Sequence, residues 1–169
     1  YFSAYRRWRS DGLDAMRKEL GRGKEIYAVT MDVKSFYHSI SPVFILRDEF
    51  LAEVGIELSK DQSLFTHDFL NAMGYWYYHS PDYKERPAGG LPVGLSASKI
   101  ISNVLLVQFD RLVRNVLRPV HYGRYVDDVF LVVRSTEGLK GGVEFMRWLA
   151  GKLTPHVVFR QVGDKYSLK

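Results

Sequence analysis

Cysteine is missing altogether, which excludes disulfides and thiolate-ligated metals as sources of stability or chemistry. The absence fits a reducing compartment, and the chain is expected in the cytoplasm. Long apolar runs are missing too: the stretch 129–133 falls far short of a bilayer's thickness, so no membrane partner is expected. The N-terminus is aromatic and arginine-rich with no apolar stretch behind it, so no signal peptide is read there. Internal repeats, low-complexity tracts and linkers are absent as well. His38, His67, His79, His121 and His156 lie far apart with no zinc-ligand spacing, and none is a catalytic candidate.

What remains is an ordinary globular composition, 46% hydrophobic and 25% charged over 169 residues, enough for one domain with its own core. Lys and Arg outnumber Asp and Glu by 24 to 19, a net charge of +5 that suits a polyanionic partner without requiring one. The chain opens on Tyr1 and stops at Lys169 just after a strand-like stretch, and so reads as an internal piece of something longer. Oligomeric state is not legible.

Asp11 is the candidate cap of a first helix reaching about Leu20 and ended by Gly21 and Gly23. Residues 26–33 follow a strand pattern that finishes on an aspartate. Ser41-Pro42 marks a helix running to about Gly55, and Ser59 opens another whose later turns are rich in aromatics at 75–78, a cluster read as packing rather than base stacking. A proline- and glycine-rich loop fills 81–94. From Ser96, apolar positions recur at helical spacing over some twenty residues until Pro119. Residues 121–126 and 129–133 are β-rich runs separated by Asp127-Asp128, which predicts a hairpin. A helix over 138–153 and a strand over 156–162 complete an α+β fold, a mostly antiparallel sheet backed by helices on one face.

Two-metal phosphoryl transfer requires divalent ions about 4 Å apart. Magnesium takes carboxylate oxygens and keeps several waters, so two or three aspartates from different strand ends suffice. Asp32 closes an apolar strand, and Asp127 sits at the tip of an apolar hairpin. If those strands are neighbours, both carboxylates emerge on one edge. Taken singly, an aspartate at a strand end is equally a turn residue or a cap, and an Asp-Asp tip a solvated turn.

Together the motifs are more specific. Ala28-Val29-Thr30-Met31-Asp32-Val33-Lys34-Ser35-Phe36-Tyr37 resembles the first catalytic motif of reverse transcriptases. The stretch from Gly90-Leu91-Pro92-Val93-Gly94 through Ser98 to Asn103 resembles their second, a loop leading into a helix. Tyr125-Val126-Asp127-Asp128 matches the third, in the family's order. The resemblance implies an RNA-directed DNA polymerase with the palm of a right-hand polymerase, residues 25–169, preceded by an entry segment from the fingers side, residues 1–24. It implies Asp32 and Asp127 as ligands of two magnesium ions (manganese as substitute) with the Val33 carbonyl, and Asp128 in a supporting role that is either catalytic or structural. It also implies an RNA template, a DNA, RNA or protein primer, and deoxynucleotides. Backbone amides of Ser35 and Phe36, with Gly94, are the candidate nucleotide contacts. Tyr37 would exclude a ribose 2′-hydroxyl, or is a core aromatic. Lys34 reads as a solvated charge.

Two positions depart from the family. Val93 stands where most members have glutamine, and Lys99 where they have proline; Ser98 and Asn103 keep their places. The Pro-Val-Gly loop is similar to those of bacterial reverse transcriptases associated with phage defence, including the abortive-infection type; retron and group II intron enzymes are similar but usually keep the glutamine. Arg6, Arg7 and Arg9, interleaved with aromatic rings, are candidate nucleic-acid contacts, or belong to a helix whose rings enter the core. Ser98 and Arg124 are further candidates, Arg124 toward a primer phosphate or as a sheet-surface charge. Lys165 lies in about the region where the resemblance implies a lysine that helps protonate pyrophosphate. Template-independent or protein-primed synthesis on the same fold, and a non-enzymatic RNA-binding module, are the alternatives.

Overall fold

Val129 to Val133 carry no polar residue on either side of the strand, and such a run is stable only where both faces are covered. In the computed structural model, which describes residues 2–85, 89–135, 138–155, 159–162 and 165–168, that is what surrounds it. The chain divides into two compact units, one of residues 1–34 with 106–169, the other of Ser35–Leu105.

The first unit holds α1 (Phe2–Leu20), β1 (Ile26–Met31), β2 (His121–Tyr125) and β3 (Asp128–Arg134). The strands form an antiparallel sheet in the order β1-β3-β2, with the most apolar strand in the middle. Alternate residues of β3 go to opposite faces. Val129, Leu131 and Val133 join Phe145, Leu149 and Leu153 of a helix over Gly142–Leu153 and Val113 of a helix over Val107–Leu117 in the main core. Phe130 faces the other way and meets Trp8 of α1, ring centroids 5.9 Å apart. Helices therefore cover both faces, where the sequence reading placed them on one. The reason lies in β3 itself, which is buried from Val129 through Val133.

The first helix also starts nine residues before Asp11, which lies inside it and caps nothing. Tyr5, Trp8 and Gly12 fall on one stripe at helical spacing, and that stripe lies on the sheet. At Gly12 helix and sheet approach closely: a β-carbon there would stand 2.3 Å from Cε1 of Phe130. Gly12→Ala gains about 1 kcal/mol of helix propensity. Overpacking a close contact costs about 1–3 kcal/mol. Because Phe130 is itself buried, the clash is expected to win, with a net loss of about 1 kcal/mol in urea unfolding; a rise in stability would show that Phe130 moves aside freely.

At the C-terminal end of α1, Glu19 is only 2% exposed. Arg134 donates to its two carboxylate oxygens at 2.6 and 3.1 Å and holds its pKa below the ordinary value, and Arg22 adds a third bond at 3.1 Å. The fork ties the end of the helix to the end of the middle strand.

In the second unit, the helix expected from Ser41 is broken at Arg47 into a 3-10 turn, Pro42–Leu46, and α2 (Asp48–Val54), which ends at Gly55 in the left-handed region. Next, α3 (Lys60–Tyr78) opens on a reciprocal capping box between Ser59 and Gln62, as Ser59 promised. The long helix expected from Ser96 to Pro119 is interrupted at Leu106, giving α4 (Ser96–Leu105) and α5 (Val107–Leu117). No glycine or proline marks that break. α6 (Gly142–Leu153) begins four residues later than expected, and β4 (Phe159–Val162) pairs antiparallel with β5 (Lys165–Leu168). The last strand was expected from His156; residues 156–158 lie outside the described residues.

Candidate active site

Pairing register brings the acids together. β1 runs antiparallel to β3 with Met31 opposite Val129, so Asp32, the next residue, falls at the end of the sheet that carries Asp128. β2 and β3 close on the pair Tyr125 and Asp128, which leaves Val126 and Asp127 as a two-residue hairpin loop. Asp32, Asp127 and Asp128 thus share one edge of one sheet.

The loop is strained. Val126 has φ +61°, a left-handed conformation that a β-branched residue rarely adopts. A two-residue hairpin with positive φ at its first position ordinarily places glycine there. Holding valine instead costs on the order of 1–3 kcal/mol, which persists only where the surroundings fix it. Here the surroundings include Arg124, whose Nη1 donates to the Val126 carbonyl at 2.7 Å.

The carboxylates also feel one another. Burial pushes the pKa of Asp127 up, its own backbone N–H partly offsets this, and the charge of Asp32 raises it further. Asp128 is raised first by burial, then by Asp127, then by Asp32. Half-buried acids whose charged forms are disfavoured by a neighbouring carboxylate make a place where a cation is favoured. Among the described residues, no three histidine or acidic side chains are already drawn into a metal cage. The donor chemistry still fits a hard divalent ion, because magnesium needs only one or two protein carboxylates and fills its shell with water and substrate phosphates.

The remaining sequence candidates are placed as follows. Ser35, Phe36, Tyr37 and Gly94 belong to the second unit. Ser35 has φ +54° and its carbonyl accepts from Ser39 Oγ at 2.9 Å. Phe36 is buried, so only its backbone is offered to a ligand. Tyr37 is half-buried with its ring edge-on to Phe36, and its carbonyl accepts from the Leu91 amide at 2.8 Å, which ties the 89–95 loop to the segment after Asp32. Gly94 has φ +94° with open space where a β-carbon would stand, so conformation rather than crowding demands glycine there. Val93, beside it, is 68% exposed. Tyr77 of the aromatic cluster is core, as the packing reading expects, whereas Tyr75, Trp76 and Tyr78 are exposed.

Arg6, Arg7 and Arg9 are exposed on α1, while Trp8 is half-buried against Phe130 and Tyr5, itself 42% exposed, lies edge-on to Tyr125 at 5.3 Å. The ring of Trp8 follows the packing reading of this segment, and the guanidiniums lie at the surface. Ser98, a candidate nucleic-acid contact, is buried: it is 0% exposed, and its hydroxyl has no hydrogen-bond partner among the described residues. Of Lys165 only the backbone is placed, in β5. Arg124 neither points at solvent nor stands as a lone surface charge. Its Nε and Nη2 each donate at 2.8 Å to the carboxylate of Asp110, with 8% of its side chain exposed. Sequence reading missed Asp110 and Tyr122, whose hydroxyl donates to Asp110 at 2.5 Å. The only available signal was an acid on a helix face that otherwise carries core residues.

No helix among the described residues is long and apolar enough to cross a membrane. A family model described as "Reverse transcriptase (RNA-dependent DNA polymerase)" matches residues 9–153. No curated protein matches the chain.

Proposed function

The chain belongs to the reverse transcriptase family, a family of RNA-directed DNA polymerases, and from that premise we propose that it adds deoxynucleotides to a primer 3′ end at the edge carrying Asp32 and Asp127. Its α+β sheet fits a polymerase palm, and family membership implies nucleic acid and deoxynucleotide partners and divalent-metal dependence in general. The observation that carries the specific reading is the convergence of Asp32, Asp127 and Asp128 on one sheet edge, with raised pKa values on the last two.

Asp32 and Asp127, with the Val33 carbonyl, would hold two magnesium ions, or manganese in their place, and Asp128 would support them. Bound there, such ions supply charge neutralisation for the triphosphate and polarise the attacking hydroxyl. The chain's own contribution is placement. The backbone amides of Ser35 and Phe36, together with Gly94, are assigned to the nucleotide, and the Tyr37 ring to the face of the sugar that a 2′-hydroxyl would occupy. Exposed Arg6, Arg7 and Arg9 are assigned to phosphates of template or primer, a sequence-independent and salt-sensitive attraction. Residues 25–169 are assigned to the palm and 1–24 to the entry segment.

Val93 favours a second reading, template-independent or protein-primed synthesis, because an exposed apolar side chain replaces the glutamine whose polar contact supports template and nucleotide. The same loop supports assignment to a bacterial enzyme of antiphage defence.

Primer extension on an RNA template separates the two. Templated synthesis is expected to follow the template bases, and Tyr37→Ala to raise ribonucleotide use relative to deoxynucleotide use by about tenfold. Incorporation indifferent to the template would replace the first reading with the second.

A further inference from the structure

We propose that Asp110 and Arg124 are positioning residues that bracket the hairpin loop and present Asp127, a role that rests on the assignment of Asp127 to metal binding. Arg124 lies on β2 two residues before Val126 and three before Asp127. Its guanidinium makes three bonds at once. Nε and Nη2 grip Asp110 Oδ1 and Oδ2 at 2.8 Å each, and Nη1 donates to the Val126 carbonyl at 2.7 Å. Asp110 sits on α5, so the fork links a helix backbone to the carbonyl inside the two-residue loop. Tyr122, on the same face of β2, donates its hydroxyl to Asp110 at 2.5 Å, and its ring lies 5.6 Å beneath the guanidinium of Arg114. Asp110 is thereby held from two sides.

The geometry needs arginine. A planar fork satisfies both carboxylate oxygens and still directs a third N–H at the loop, which a single ammonium cannot do. Position also matters. An ion pair farther along β2 would join strand to helix equally well, but only this one reaches the carbonyl of the residue held at φ +61°. Mostly buried pairs are poor sources of net stability, because desolvation offsets their attraction. Fixing a strained loop is a use that their directionality does serve. Asp127 inherits its direction from that loop, so loosening the bracket changes where its carboxylate points without touching it.

The test uses the full chain with Arg124→Lys, and Asp110→Asn as an isosteric second variant should the first not fold. Manganese alone is titrated by electron paramagnetic resonance, and kcat and KM for deoxynucleotide are measured alongside the melting temperature. Manganese affinity is expected to fall about tenfold and kcat about ten- to hundredfold, with KM changing less than about threefold. Adding Val126→Gly, which adopts positive φ without strain, is expected to recover most of the manganese affinity lost in Arg124→Lys. Either of two results overturns the proposal: manganese affinity and kcat staying within about twofold of the parent whatever the melting temperature does, or a loss that Val126→Gly leaves unrepaired. Asp127→Ala is run beside them. If it too keeps manganese affinity and incorporation, the metal assignment has failed, which is a different result from failure of the bracket.

Discussion

Replacing Asp127 with alanine is expected to lower incorporation by about a thousandfold or more while leaving the melting temperature unchanged or slightly raised. The first half follows from charge. Metal-mediated stabilisation of a phosphoryl transition state supplies several kcal/mol, and each 1.36 kcal/mol is a factor of ten in rate. The second half follows from the way the acids sit. Asp127 is pushed toward its neutral form by burial and by Asp32, and Asp128 is pushed the same way by burial and by Asp127. Removing Asp127 relieves that repulsion, the usual relation between a functional site and stability. Asp127→Asn preserves shape without charge and is expected to behave like alanine in primer extension. Asp128→Ala, at the first position of β3, is expected to cost less activity. A melting temperature that falls in step with activity would instead make Asp127 a structural turn residue.

The two halves of this site were unequally legible. Asp32 and the Asp127-Asp128 tip can be read because the chemistry restricts residue type and the flanking apolar runs restrict local structure. Strand order, which puts β1 beside β3, is not written in either run; it follows from which faces the helices cover. The covering itself was half legible. An unbroken apolar β3 implied burial on both sides, yet α1 was read as starting at Asp11, and with its first half missing there was no second layer to use. The interruption at Leu106 left no mark, since Val104, Leu105 and Val107 suit a continuous helix. Arg124 shows the limit most plainly. Its closeness to the acids is visible in sequence, but its partner lies fourteen residues back on a helix, and no local periodicity reports a bond between elements. Charge beside the candidate site was read as reaching outward, and the structure turns it inward.

Leu149→Ala is expected to destabilise the first unit by about 3–5 kcal/mol, the upper part of the range for fully buried leucines. Leu149 is 0% exposed on α6 and belongs to the core formed with Val113, Val129, Leu131, Val133, Phe145 and Leu153. Truncation removes its transfer free energy, and it also leaves a cavity whose walls relax only in part. Collapse is restricted on each side. The β3 residues are fixed by hydrogen-bonded neighbours on both edges, Val29 and Tyr122 flanking Leu131. On α6, Phe145 is stacked on Tyr27 with ring centroids 4.8 Å apart and on Trp148 at 5.7 Å. Rings stacked face to face resist sliding into the gap. Domains of this size are stable by only about 5–15 kcal/mol, so the loss is a large fraction of the whole. Urea unfolding measures it as a lower midpoint at unchanged slope. Incorporation per folded molecule is expected to persist at low temperature, because the acids and Arg124 are untouched. A loss below about 1 kcal/mol would mean that α6 settles onto the sheet without this side chain, and that the core on this face is looser than its burial implies.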